Sequence, residues 1–315
     1  MARVLVTRRL PDGGLEPLER ADIEIIGPKV DDEPYSATEL LELAPTVDAI
    51  VCLLTDTIDD ALLAAGAAGS LRIVANVAVG YNNIDVAAAA RHGVVVTNTP
   101  GVLDETTADT AFLLMLAAAR LAHDAEDDLR SGRWHGWGIN QYLGLDVHGA
   151  TLGIVGYGRI GRAVARRAHG FSMEVLHHSR TASGEPGYVS ALDELLERSD
   201  IVSLHVPLDA STTHLIGRDQ LARMRPGSVL VNTARGPVVD EEALADALHE
   251  GRIFAAGIDV FEREPIVHPR LLSAPRTVLL PHIGSGSRTT RRNMALLATT
   301  AVVSVLAGER PPNVV

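Results

Sequence analysis

The chain has 315 residues, 46% of them hydrophobic, with 40 acidic side chains against 28 basic ones and a formal net charge of −12. That length accommodates two ordinary domains with real cores, and the negative balance excludes a reader of nucleic acid or of an anionic membrane surface, which needs clustered positive charge. Cys52 is the sole cysteine, so an internal disulfide is excluded, a reducing cytoplasmic setting is expected, and its apolar surroundings mark a buried thiol rather than a nucleophile.

Taken in order, the N-terminal part alternates strand-like and helix-like patterns, the signature of a parallel α/β sheet. Strands are predicted at 4–7, 23–26, 49–54, 73–78 and 94–98. No basic, apolar and small-residue signal precedes the first of them. Ser36 and Glu39 form a capping box ahead of Leu40, and an Ala-rich helix over 84–92 stops at Gly93. Pro100-Gly101 turns the chain and marks a boundary. A helix over 106–121 follows, whose apolar run 111–119 is far too short to span a bilayer. A polar helical stretch and an aromatic, glycine-rich loop over 134–144 come next.

From Thr151 the alternation resumes, with strands predicted at 152–155, 174–178, 201–205, 229–232, 255–258 and 278–280. The expected architecture is two doubly wound parallel-sheet domains, a Rossmann domain over 100–285 inserted in a flavodoxin-like domain formed by 1–99 and 286–315. A last helix over 288–306 returns to that first domain.

The stretch Gly156-Tyr157-Gly158-Arg159-Ile160-Gly161 follows an apolar strand and opens a helix. Gly156 permits the tight turn, Gly158 lets the backbone approach a pyrophosphate, and Gly161 lets the helix pack on its strand. Free N–H groups and the positive end of the helix dipole then favour phosphate. G-x-G-x-x-G alone is a weak signal, and the strand, turn, helix and second strand around it raise its weight.

Three more stretches put polar groups just past strand ends, where open α/β sheets bind ligands. They carry Arg235, then Asp259 with Glu264, then His282. An arginine is more often a surface salt-bridge partner, and a lone His or Glu is more often structural. An Arg, a Glu and a His at one edge of one sheet instead form an acid-base and carboxylate-binding set.

With these motifs in this order, joined by Val79-Gly80-Tyr81-Asn82-Asn83-Ile84-Asp85, Thr107-Ala108-Asp109, His205-Val206-Pro207-Leu208 and Asn232-Thr233-Ala234-Arg235-Gly236, the chain resembles the D-isomer-specific 2-hydroxyacid dehydrogenases along essentially its whole length. The glyoxylate and hydroxypyruvate reductase branch is the nearest. The resemblance implies that His282 is the general acid-base, Glu264 its partner, and Arg235 the residue that orients the substrate. It implies that the N–H groups of Val79 and Gly80 bind the substrate carboxylate, with Leu54 beside the substrate. The cofactor contacts it implies come from Thr107, Gly156, Gly158, Arg159, Ile160, Gly161, Ser179, Arg180, Thr181, Val206, Pro207, Thr233, Ala234, Asp259 and Gly284, with Asp259 toward the nicotinamide amide. No metal is required. A homodimer is the family's expected assembly, and the 134–144 loop is a candidate subunit contact.

The residues agree with those roles. Reduction of a 2-keto acid needs a hydride at carbon and a proton at oxygen; a nicotinamide cofactor supplies only the first. An imidazole hydrogen-bonded to a carboxylate suits the second task, whereas an arginine holds its proton. The cofactor expected is NADP, with NAD also possible, because NAD-selective folds place Asp or Glu where this chain has Ser179, followed by Arg180 and Thr181. Alternatives at this stage are a phosphonate dehydrogenase, an aryl 2-keto acid reductase, or a nucleotide sensor like the C-terminal-binding-protein corepressors.

Overall fold

A computed structural model describes all 315 residues and divides them into two compact units, Met1–Leu103 with Ser285–Val315, and Asp104–Gly284. The first boundary falls four residues beyond the expected one at 99/100, because the chain after Pro100-Gly101 runs on to Leu103 before the helix Asp104–Ala119 begins.

In the first unit the strands are β1 (Arg3–Val6), β2 (Glu24–Ile26), β3 (Ala49–Cys52), β4 (Ile73–Asn76) and β5 (Val95–Thr97). They form one sheet in the order β2-β1-β3-β4-β5, parallel throughout. Strands β3 and β4 are buried at every residue, the pattern of a sheet covered on both faces. Ser36 and Glu39 close their reciprocal capping box, and Gly93 ends the helix Val86–His92 in the left-handed region at φ 70°. The helix Arg288–Leu306 packs against β3 and β4. It is tied down by Thr299, which donates to the Gly14 carbonyl, and by Arg72, which donates to the Val305 carbonyl.

The second unit holds β6 (Thr151–Val155), β7 (Glu174–His178), β8 (Ile201–Leu204), β9 (Val229–Asn232), β10 (Ala255–Ile258) and β11 (Thr277–Leu279). Its order is β11-β10-β9-β8-β6-β7, again all parallel. The flank beyond β7 carries no further strand. A single bridge from His177 to Tyr188 takes that place. The order reverses between β6 and β8, so the carboxyl ends of these two strands form the switch point at which such sheets bind ligands.

The predicted strands at 49–54, 73–78 and 201–205 run one or two residues too long. Apolar character continues past the ladder: Val77 and Ala78 stay buried in a bend, and Leu53 gives its N–H to the Asp56 carboxylate. No helix is long and apolar enough to cross a membrane.

Candidate functional site

Each of the six strands of the second unit hands its chain to a stretch named above. Gly156 follows β6, Ser179 follows β7, and Val206 and Pro207 lie just past β8. Thr233, Ala234 and Arg235 follow β9, Asp259 follows β10, and His282 lies just past β11. All parallel strands point one way, so these residues gather at one edge by topology rather than by chance.

At the end of β6 the glycines divide their labour. Gly156 sits at φ +97°, and a Cβ there would lie 2.5 Å from the His205 carbonyl; a Cβ on Gly161 would lie 2.2 Å from the Gly156 carbonyl. Both are therefore required for close backbone packing. Gly158 has nothing within 4 Å of the place its Cβ would occupy, which leaves an open approach to the backbone. It is also the N-cap of the helix Arg159–His169 and provides no side-chain cap. The first-turn N–H groups, those of Arg159 and Ile160 among them, are left without intrahelical acceptors at the positive end of the helix dipole. Thr233 is buried with its Oγ1 unpartnered. An open glycine, an uncapped helix end and an orphaned hydroxyl fit a dinucleotide. Thr107, on the helix Asp104–Ala119, packs within 4 Å of the Cβ direction of Gly284.

Past β7, Ser179 donates its hydroxyl to the Thr181 carbonyl at 2.7 Å, and Arg180 pairs with Asp209 at 3.3 Å. The sequence suggested both Ser179 and Thr181 as phosphate donors; here the Ser179 hydroxyl is engaged in shaping its own turn. The Arg180–Asp209 pair is largely exposed, so it holds the arginine only weakly.

The β9 loop is shaped by Asn232, whose Nδ2 donates to the Arg235 carbonyl and whose Oδ1 accepts the Ala234 N–H. A Cβ on Gly236 would lie 1.9 Å from the Phe261 carbonyl carbon, so this loop rests directly on the backbone of the next. Burial pushes the Arg235 guanidinium below its ordinary value, and the nearby Glu264 charge opposes that shift.

Asp259 is almost fully buried. Its Oδ1 accepts the N–H of Ile283 and its Oδ2 that of Gly284, while its backbone carbonyl accepts the N–H of His282. It thus pins three consecutive residues of the β11 loop, a positioning task that its expected contact with nicotinamide did not reveal. His282 is held in the left-handed region at φ 54°, an uncommon place for a non-glycine residue. Its Nδ1 lies 2.8 Å from Glu264 Oε2, and Glu264 Oε1 accepts the N–H of Phe261. Burial acts to raise the Glu264 pKa, but the hydrogen bond and charge of His282, the Phe261 N–H and Arg235 together carry it below the usual carboxylate value.

Burial disfavours the charged form of two other histidines of this unit. Burial pushes His205 down to about 3, and burial also lowers His177, whose ring stacks on Tyr157 at 3.7 Å. In the first unit, Leu54 lies two residues past β3, and Val79 and Gly80 lie in the bend past β4. The sequence reading gave no role to Asn76 or Asn98 and quoted Asn232 only as part of a motif, because the carbonyls and N–H groups that a buried asparagine bonds are not written in its neighbours.

The family model for the D-isomer specific 2-hydroxyacid dehydrogenase NAD binding domain matches residues 112–284. A glyoxylate reductase of Korarchaeum cryptofilum is 50% identical over 99% of this chain and 95% of its own length. The chain belongs to the D-isomer-specific 2-hydroxyacid dehydrogenases. Two solved structures of similar proteins bear on this dehydrogenase. A Thermus thermophilus protein superposes with a TM-score of 0.93 at 42% identity, with 99% of each chain covered. An NADPH-dependent glyoxylate/hydroxypyruvate reductase of Sinorhizobium meliloti, in complex with NADP and malonate, has a TM-score of 0.87 at 37% identity, covering 100% of this chain and 96% of its own.

Proposed function

We propose that this dehydrogenase reduces small 2-keto acids, glyoxylate and hydroxypyruvate foremost, to the D-2-hydroxy acids, with NADPH preferred over NADH. The observation that carries the reading is the His282–Glu264 pair at 2.8 Å on a sheet edge that also bears Arg235 and the GYGRIG turn. The bound cofactor supplies the hydride. His282 gives a proton from Nε2 to the carbonyl oxygen, because its Nδ1 is committed to Glu264. Glu264, its pKa held below the usual carboxylate value, fixes the ring through Oε2. Arg235 retains its own proton and therefore polarises the keto oxygen and grips the carboxylate. The Val79 and Gly80 N–H groups take the carboxylate, with Leu54 beside the substrate.

Thr107, Gly156, Gly158, Arg159, Ile160, Gly161, Val206, Pro207, Thr233, Ala234, Asp259 and Gly284 form the cofactor's surroundings. The absence of an acid at Ser179 and the weak tether on Arg180 support the NADPH preference, since a 2′-phosphate displaces an exposed carboxylate partner readily. The name of the S. meliloti relative points the same way. A homodimer through the 134–144 loop accounts for the exposure of Trp134, Trp137, Ile139 and Leu143. One buried thiol suits a reducing, cytoplasmic setting.

The test is kcat/KM for glyoxylate, hydroxypyruvate, pyruvate and hydroxyphenylpyruvate with each cofactor. Glyoxylate or hydroxypyruvate with NADPH should rank first, and Ser179→Asp/Arg180→Ala should move the preference toward NADH. A wild type that favours NADH, or a double variant whose preference stays put, contradicts the cofactor assignment.

A further inference from the structure

In the bend after β4, three consecutive peptide carbonyls are each held by a donor of the first unit. The Ala78 carbonyl accepts the N–H of Thr99 at 2.9 Å, the Val79 carbonyl accepts Nδ2 of Asn98 at 2.8 Å, and the Gly80 carbonyl accepts Nδ2 of Asn76 at 2.9 Å. All three peptides are trans, so each following N–H points away from its held carbonyl. The N–H groups of Val79, Gly80 and Tyr81 are thereby fixed, and none has an acceptor within the chain. Successive free N–H groups of this kind make an anion-binding concavity.

The two asparagine amides are themselves held in place. Asn76, fully buried at the end of β4, accepts the Cys52 S–H at Oδ1 (3.6 Å) and shares its Nδ2 with Asn83 Oδ1 at 3.2 Å. An amide so engaged cannot flip without turning its oxygen toward two other oxygens. Asn98 is clasped by the C-terminal segment. Its N–H donates to the Asn313 carbonyl at 3.2 Å, and its carbonyl accepts Nδ2 of Asn313 at 2.6 Å. Asn313 is itself buried, beside an antiparallel bridge from Val314 to Thr97. Burying amides costs free energy unless they are bonded, and here the bonds go to a loop whose carbonyls have no strand partner.

We infer that Asn76 and Asn98 are positioning residues for the substrate carboxylate, that Asn313 holds Asn98 in register, and that the Tyr81 N–H joins those of Val79 and Gly80 as a third donor. The inference rests on the reading of this loop as the carboxylate site.

The experiment uses the full-length enzyme, with oxamate as the carboxylate probe in the presence of NADPH. In wild type, the amide resonances of Gly80 and Tyr81 shift on adding oxamate. In Asn98→Ala and Asn76→Ala, those shifts shrink and the glyoxylate KM rises about tenfold or more, the scale of a lost hydrogen bond to a charged group. The change in kcat stays within about threefold and the NADPH KM within about twofold on the same argument. Asn98→Ser, which keeps a donor, recovers part of the affinity. Asn313→Ala, two residues from the C-terminal residue, gives the same split of KM from kcat at smaller size and serves where the strand-end variants do not fold. Amides that shift in wild type together with an unchanged glyoxylate KM in the folded variants overturn the positioning roles alone. Wild-type amides that ignore an inhibiting concentration of oxamate overturn the carboxylate reading itself.

Discussion

His282 is one of twelve histidines in the chain, and its surroundings single it out. The Asp259 carbonyl fixes its backbone and Glu264 fixes its ring, whereas burial pushes His205 down to about 3 and lowers His177 as well. Replacing the partner tests the arrangement. In Glu264→Gln the ring loses the carboxylate that holds its Nδ1, so kcat falls while NADPH affinity is kept; an unchanged kcat removes the pairing from the account. Stability has its own pH signature. Because the folded Glu264 pKa is lowered from 4.5, its carboxylate stabilises the fold above that value and loses the contribution as pH falls through the lower folded value. The stability gap between wild type and Glu264→Gln therefore closes in acid, which melting curves between neutral pH and about pH 3 read directly.

At the scale of elements, the site depends on loops lying backbone to backbone. Gly236 rests on Phe261 with no room for a methyl group, so Gly236→Ala forces apart the loops that carry Arg235 and Glu264. Overpacking of this kind typically costs about 1–3 kcal/mol. The expected result is a lower melting temperature together with a loss of kcat/KM larger than the loss of NADPH affinity. A variant with wild-type turnover shows that the loops accommodate the methyl group without moving the site.

The strands, the GYGRIG turn and the order of motifs were legible because hydrophobic runs and glycines report local demands. The tasks of Asn76, Asn98 and Asn232 were not, since these side chains act on carbonyls and N–H groups whose direction only the folded loop defines. The Arg180–Asp209 pair was hidden for the same reason, as it joins the loops past β7 and β8.

For the whole molecule, a parallel sheet of six strands gathers on one edge the GYGRIG turn, Arg235, Glu264 and His282, to which the proposed reduction is assigned. A parallel sheet of five strands places Leu54 and the Val79–Tyr81 bend past its own strand ends. The exposed aromatics of the 134–144 loop extend the account to the assembly. Sedimentation velocity should show a dimer, and Trp137→Glu should shift it toward monomer; a wild type that sediments as a monomer at micromolar concentration removes that loop as a subunit contact.

The central claim is that His282 completes a hydride reduction by supplying the proton. The most direct measurement is steady-state oxidation of NADPH by glyoxylate in wild type and in His282→Ala, with NADPH affinity measured on both proteins by fluorescence. The account predicts turnover in wild type, a kcat lower by about 100-fold or more in the variant, and NADPH affinity nearly equal in the two. Tight NADPH binding without turnover in wild type, or a variant that keeps the wild-type rate, would contradict it.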